Sequence, residues 1–210
     1  MKLSGEFEQI MGVYYCPFGN SAYIACASFD KTVKLWDSNL GSKPKVLKGH
    51  DAAVNNVAYS YDGKFIASGS DDKTIILWEP HQENNSPSKI LKGHDEPVLT
   101  VLFTFDSKKL ISSDQSGIVI VWDLATGDII RKFKAHTSLV QDLSVAGDNK
   151  TIVTVSLDKK VKLWDISTGE NLMEFDAGVK IWSVDITSDA EIIILGCGDG
   201  TVRFLERKGN

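Results

Sequence analysis

Four of the five tryptophans in this chain close the same short string: TVKLWD at Thr32–Asp37, TIILWE at Thr74–Glu79, GIVIVWD at Gly117–Asp123 and KVKLWD at Lys160–Asp165. A fifth copy, TVRFLE at Thr201–Glu206, has Leu205 in the tryptophan's place. The copies are 42, 44, 42 and 41 residues apart. Such a period marks a repeat architecture in which each unit stacks on its neighbours. A second marker keeps step. His50, His94 and His136 follow Gly49, Gly93 and Ala135, and each stands 28 residues before a tryptophan. An aspartate lies six residues before the tryptophan in the first, second and fourth copies (Asp30, Asp72, Asp158), and Asp199 holds that place in the fifth. The third has Ser116 there. Five repeats, about 1–42, 43–86, 87–129, 130–170 and 171–210, account for the chain as a single domain without a linker.

The second repeat shows what one unit is. VNNVAYS, KFIASGS and TIILWE are short runs rich in β-branched and aromatic residues, separated by Asp/Gly/Ser turns. That pattern predicts strands joined by hairpins. A fourth run, SKILKGH, leads into the next copy, and no segment carries a helical period. The third run is apolar on both faces, Ile75 and Leu77 on one and Ile76 and Trp78 on the other, so the sheet must be covered on both sides. One four-stranded sheet cannot cover itself. Radial stacking of sheets does so, which predicts an all-β propeller with one sheet per repeat. Only Arg207–Asn210 follow the last third strand, so the fifth sheet is expected to lack its outermost strand. Lys2–Phe7 is a candidate to supply it.

Histidine and tryptophan in this register, GH and then WD 28 residues on, resemble the WD40 repeat family over essentially the whole chain. The resemblance implies a WD40-type β-propeller of five four-stranded blades, whose function is non-catalytic protein binding as a scaffold or adaptor. It also implies a buried structural network in each blade joining the GH histidine, a Ser or Thr on the second strand, the turn aspartate and the tryptophan. The second repeat has the full set in His50, Ser68, Asp72 and Trp78; the fourth has it in His136, Thr154, Asp158 and Trp164. The third keeps His94, Ser112 and Trp122. The first keeps Asp30 and Trp36, with Glu8 and Cys26 at the other two places; the fifth keeps only Asp199.

Asp72, His50 and Ser68 are also the residue types of a hydrolase triad. A catalytic constellation is built once, however, and this set recurs with the repeat. There is no GxSxG elbow, no phosphate-binding GxxxxGK[ST], no dinucleotide GxGxxG and no Cys/His group at metal spacing. No catalytic residue, cofactor or metal is expected. A propeller hydrolase with a rim site is the alternative, and membership of a chromatin or RNA-processing complex through protein contacts is a third reading.

Charge and composition narrow the partners. With 23 basic and 28 acidic residues the chain carries −5, against direct nucleic-acid binding and against anionic lipid. Its longest apolar run, Ile192–Gly196, is strand-sized, and Glu6 and Glu8 stand where a signal peptide needs an apolar stretch. Three cysteines without a CxxC pair are expected to be reduced and buried, in an intracellular, cytoplasmic or nuclear protein. Proteins or peptides are the expected partners, together with a homodimer or further blades if the terminal sheets are left uncovered.

The first strands locate a candidate surface. Their apolar trios, such as Val54, Val57 and Tyr59, step by three and then by two. An odd step flips the face unless one residue is inserted, so a β-bulge is predicted at Asn55, Leu99, Gln141 and Trp182, and at Val13 in the first repeat. In WD40 propellers the bulge residue, the residue two before it and the one before the turn aspartate ring an entrance that contacts partners. Carried over, the protein-binding rim is Met11, Val13 and Phe29 in the first blade. The second gives Asn55 and Asp71 (with Ala53), the third Pro97, Leu99 and Gln115. The fourth gives Leu139, Gln141 and Leu157, and the fifth Lys180 and Trp182 (with Gly198). Much of that rim is apolar or aromatic, which a water-facing surface should not be unless something covers it.

Overall fold

The computed structural model describes residues 8–15, 23–37, 43–82 and 84–207. They form nineteen strands in five antiparallel sheets, four of four strands and one of three, and no helix occurs among the described residues. The proposed fifth-sheet contribution of Lys2–Phe7 lies outside the described residues.

The chain divides into two compact units, Met1–Phe103 and Thr104–Asn210. The first holds β1 (Ile10–Tyr15), β2 (Tyr23–Ser28), β3 (Thr32–Asp37) and β4 (Lys45–Lys48) in one sheet. A second sheet in this unit contains β5 (Val54–Tyr59), β6 (Ile66–Ser70), β7 (Thr74–Trp78) and β8 (Lys89–Lys92), and β9 (Val98–Phe103) lies against β5 and β6. The second unit contains β10 (Lys109–Asp114), β11 (Ile118–Asp123) and β12 (Ile129–Lys134). It also has a four-stranded sheet of β13 (Val140–Val145), β14 (Thr151–Ser156), β15 (Lys160–Asp165) and β16 (Glu170–Asp176). Its last sheet is β17 (Ile181–Ile186), β18 (Ile192–Cys197) and β19 (Val202–Glu206). Among the described residues the fifth sheet has three strands.

The sheets stack as the two-sided apolar pattern requires. In the first unit Val54, Val57 and Tyr59 of the second sheet bury against Ala25, Ala27, Val33 and Leu35 of the first. In the second unit Ile181, Val184 and Ile186 bury against Val153, Val155, Val161 and Leu163. Each fully buried aliphatic side chain contributes about 1.5–3 kcal/mol, which is the main force holding neighbouring sheets together. Approach is close enough to dictate Gly69: a Cβ there would lie 2.7 Å from Val98 Cγ1.

The bulges form at Asn55, Gln141 and Trp182, where the register of the first two strands shifts between Val54/Asn56, Val140/Asp142 and Ile181/Ser183. In the first sheet the expectation was misplaced by two residues. The shift falls between Ile10 and Gly12, so Met11 is the inserted residue and Val13 pairs regularly with Cys26. The cause is the connection: eight residues separate Tyr15 from its partner Ile24, whereas six separate Tyr59 from Ile66. Counting back from the tryptophan crosses that longer hairpin and lands on Val13.

Candidate functional site

Two sets of residues were singled out by the sequence: the recurring polar network and the bulge rim. The network assembles inside the second sheet. Ser68 and Trp78 are buried, and the Trp78 indole N–H donates to Ser68 Oγ at 2.8 Å. Ser68 Oγ is 2.7 Å from His50 Nε2, and His50 Nδ1 is 2.8 Å from Asp72 Oδ2. These contacts are all satisfied by one protonation pattern: His50 carries its proton on Nδ1 and donates to Asp72, while Ser68 donates to Nε2. Asp72 also receives the Asp51 amide at 2.9 Å and, in an Asx turn, the Thr74 amide at 2.9 Å. Burial would raise the Asp72 carboxyl, but these donors, His50 foremost, outweigh it and hold the carboxyl well below the usual carboxylate range.

The fourth sheet repeats the arrangement. Trp164 donates to Thr154 Oγ1 at 2.9 Å, Thr154 Oγ1 is 2.8 Å from His136 Nε2, and His136 Nδ1 is 3.0 Å from Asp158 Oδ2. Burial pushes the His136 imidazole below its ordinary value, only partly countered by Asp158, which disfavours its protonated form. In the third sheet Trp122 donates to Ser112 at 2.8 Å, and His94 is buried.

Three substitutions in this framework escaped sequence reasoning. In the third sheet serine and aspartate have exchanged places: Asp114 stands where the second has Ser70, and Ser116 where it has Asp72. The buried Asp114 carboxylate caps the turn, receiving the Ser116 amide at 2.9 Å and the Ile118 amide at 3.0 Å. In the first sheet Glu8 is exposed and takes no such part. The cation opposite Asp30 is Lys34, a buried lysine that bonds Asp30 and, at 2.9 Å, Thr32 Oγ1. In the fifth, Arg203 reaches Asp199 at 2.6 Å and the Ala177 carbonyl at 2.8 Å. Lys34 and Arg203 share one position, four residues after the turn aspartate. A basic residue there, in a repeat without the GH histidine, was the signal available in the sequence.

The rim residues are exposed or half-buried except Ala53, which is buried. In the first unit Met11, Val13, Phe29 and Asp71 are exposed, and Asn55, Pro97 and Leu99 half-buried. Asn55 is committed to the fold: its amide donates to Asp71 Oδ1 at 2.7 Å and to the Val98 carbonyl at 3.0 Å. In the second unit Gln115, Lys180 and Trp182 are exposed, and Leu139, Gln141 and Leu157 half-buried. Trp182 is 52% exposed, whereas the four third-strand tryptophans are buried. The Lys180 ammonium lies 6.0 Å from its ring centre, and a Cβ on Gly198 would come within 3.2 Å of its indole nitrogen. Trp182 therefore stands on the bulge with Lys180 and Gly198 against its ring. Among the described residues no group of His, Cys, Asp and Glu side chains could hold a metal, and no helix is long and apolar enough to cross a membrane. Cys26 and Cys197 are buried free thiols, and Cys16 lies outside the described residues.

The family model described as "WD domain, G-beta repeat" matches residues 2–37, 41–79, 85–123 and 127–165, more than half of the chain. The chain belongs to the WD40 repeat family. The crystal structure of the WD40 beta propeller domain of Doa1 is similar over 91% of this chain and 62% of that one, with a TM-score of 0.76 and 29% identity. Among curated relatives, the Nuclear distribution protein PAC1 of Arthroderma benhamiae is 39% identical over 83 residues, 37% of this chain and 18% of that protein. The protein of the same name from Tuber melanosporum is 45% identical over 64 residues, 30% of this chain and 14% of that one. The chain thus spans under a fifth of the length of these relatives. The WD40 propeller is a fold that typically mediates protein–protein interaction and is generally non-catalytic.

Proposed function

We propose that this WD40 chain is a non-catalytic scaffold or adaptor that binds proteins or peptides on its bulge rim, and that it acts inside the cell, in cytoplasm or nucleus. The observation that carries the reading is Trp182. A bulge conformation turns the one tryptophan outside the third-strand position into solvent. A half-exposed tryptophan on a rigid sheet, with a cation over its ring, has the makeup of a binding hot spot. In the first unit Phe29 and Met11 offer further exposed apolar anchors, and Leu99 a half-buried one. Asn55 is better read as a pin for the bulge than as a contact residue, because both of its amide bonds are internal.

The hydrolase alternative loses support from the same geometry. Ser68 Oγ is fully buried and already engaged by His50 and Trp78, so a substrate carbonyl has no path to it. Affinity capture with the intact chain, read by mass spectrometry, tests the proposal: specific proteins should be retained by the native chain and lost from Trp182→Ala. Turnover of a generic ester abolished by Ser68→Ala, in a folded protein, would favour the enzyme instead.

A further inference from the structure

The two terminal sheets expose complementary halves of one interface. Each first strand carries an apolar trio set by its register against the second strand: Val54, Val57 and Tyr59 pair with Ser70, Ser68 and Ile66. By the same register the first sheet's trio is Ile10, Val13 and Tyr15, which pair with Ser28, Cys26 and Ile24. Val57 is 2% exposed because the first sheet covers it; Val13 is 63% exposed and Tyr15 58%. The receiving half is equally regular. Val153, Val155, Val161 and Leu163 receive the trio of the fifth sheet and are fully buried. Their register equivalents in the fifth sheet are Ile194, Gly196, Val202 and Phe204, joined by the pairs Ile194–Phe204 and Gly196–Val202. Val202 and Phe204 are 64% and 65% exposed.

An exposed trio and an exposed receiving face thus stand each in the register that buries its counterpart elsewhere in the same chain. We propose that the occupant of the fifth-sheet face is a second copy of this chain, which seats Ile10, Val13 and Tyr15 of its first sheet on Ile194, Val202 and Phe204. The contact is heterologous, one surface meeting a different one, so it propagates head to tail until a ring closes or a filament grows.

Sedimentation of the intact chain over a range of concentrations tests this directly. The expected result is a weight-average mass that rises with concentration above that of one chain. Val13→Glu removes the trio and leaves the receiving face; Phe204→Glu does the reverse. Both sites are exposed in the single chain, and circular dichroism reports whether each variant folds. Each variant alone should sediment as one chain, and an equimolar mixture should form a dimer that grows no further. A native chain that stays monomeric at all concentrations overturns the proposal, whether its faces meet within one chain or await the blades of another protein. Either variant dimerising alone overturns it too, since that requires an isologous contact.

Discussion

The indole nitrogen of Trp78 donates to Ser68 Oγ at 2.8 Å, and Ser68 in turn reaches the imidazole of His50 at 2.7 Å. The hydroxyl accepts one hydrogen bond and donates its own proton, and it is fully buried away from solvent. A serine so placed joins the third strand to the loop entering the repeat. It does not stand ready as a nucleophile.

Removing members of this chain of bonds should therefore cost stability according to the volume emptied and the hydrogen bonds lost. Trp78→Ala leaves a large cavity and is expected to cost roughly 3–5 kcal/mol. Ser68→Ala leaves the indole N–H without its acceptor and should cost about 1–3 kcal/mol. Urea denaturation of the three proteins checks the order; a Trp78→Ala protein as stable as the native chain would contradict it.

Acid should weaken the fold in two stages. Burial holds the His136 imidazole below its usual 6.5 against the pull of Asp158, with Lys162 also opposing protonation. The unfolded chain then takes up a proton that the folded one refuses, so stability falls as pH drops below about 6.5. The Asp72 and Asp158 carboxyls are also held low, their donors outweighing burial, so their stabilising contribution is complete above about 4 and lost as pH falls further. Denaturation midpoints at pH 7, 5.5 and 4.5 should decline in that order. His136→Gln should flatten the decline between 7 and 5.5; an unchanged slope would show that another group carries it.

Asp142 has the opposite sign. Burial raises its carboxyl, the Val184 and Leu143 amides lower it, and Asp185 raises it further, with a net rise. Its stabilising contribution is present below the unfolded value near 3.9 and is lost as pH rises through the higher folded value. The second repeat has Asn56 in the same place, receiving the Val101 amide at 3.2 Å as Asp142 receives that of Val184 at 2.9 Å. Asp142→Asn is thus expected to raise the melting temperature at pH 7 and to make no difference near pH 4. A lower melting temperature at pH 7 would mean that the charge on Asp142 is needed for the cap.

One turn position adopts positive φ in all five repeats: Lys31, Lys73, Gly117, Lys159 and Gly200. Gly117 is obligatory, since a Cβ would lie 2.4 Å from the His136 carbonyl oxygen. Lys159 is exposed at φ 68°, a conformation costing a non-glycine residue about 1–2 kcal/mol, against about 0.5–1 kcal/mol for glycine's extra unfolded freedom. Lys159→Gly should stabilise by roughly 0.5 kcal/mol in denaturant titration, whereas Gly117→Ala should destabilise clearly.

What was legible in the sequence was whatever recurs. Histidine, Ser/Thr, aspartate and tryptophan keep their spacing because each must meet the others inside one sheet, and the bulges at Asn55, Gln141 and Trp182 follow from an odd step that strand geometry forbids. What was not legible is where a repeat solves the same problem with other atoms. Lys34 and Arg203 replace a histidine from the loop entering the repeat, and Asp114 and Ser116 trade places across one turn. Val13 was misread as the bulge because its hairpin is longer, and length in a connection carries no pattern of its own. The commitment of Asn55 to Asp71 and Val98 depends on the approach of the next strand, which no local motif encodes.

The central claim is that Trp182 is held out for a partner and contributes little to the fold. Chemical denaturation and partner titration on one variant, Trp182→Ala, test it together, using a protein captured by the native chain. The account predicts that affinity weakens tenfold or more, about 1.4 kcal/mol, while stability falls far less than in Trp78→Ala. A Trp182→Ala protein that loses several kcal/mol of stability, or that binds its partner as tightly as the native chain, would contradict it.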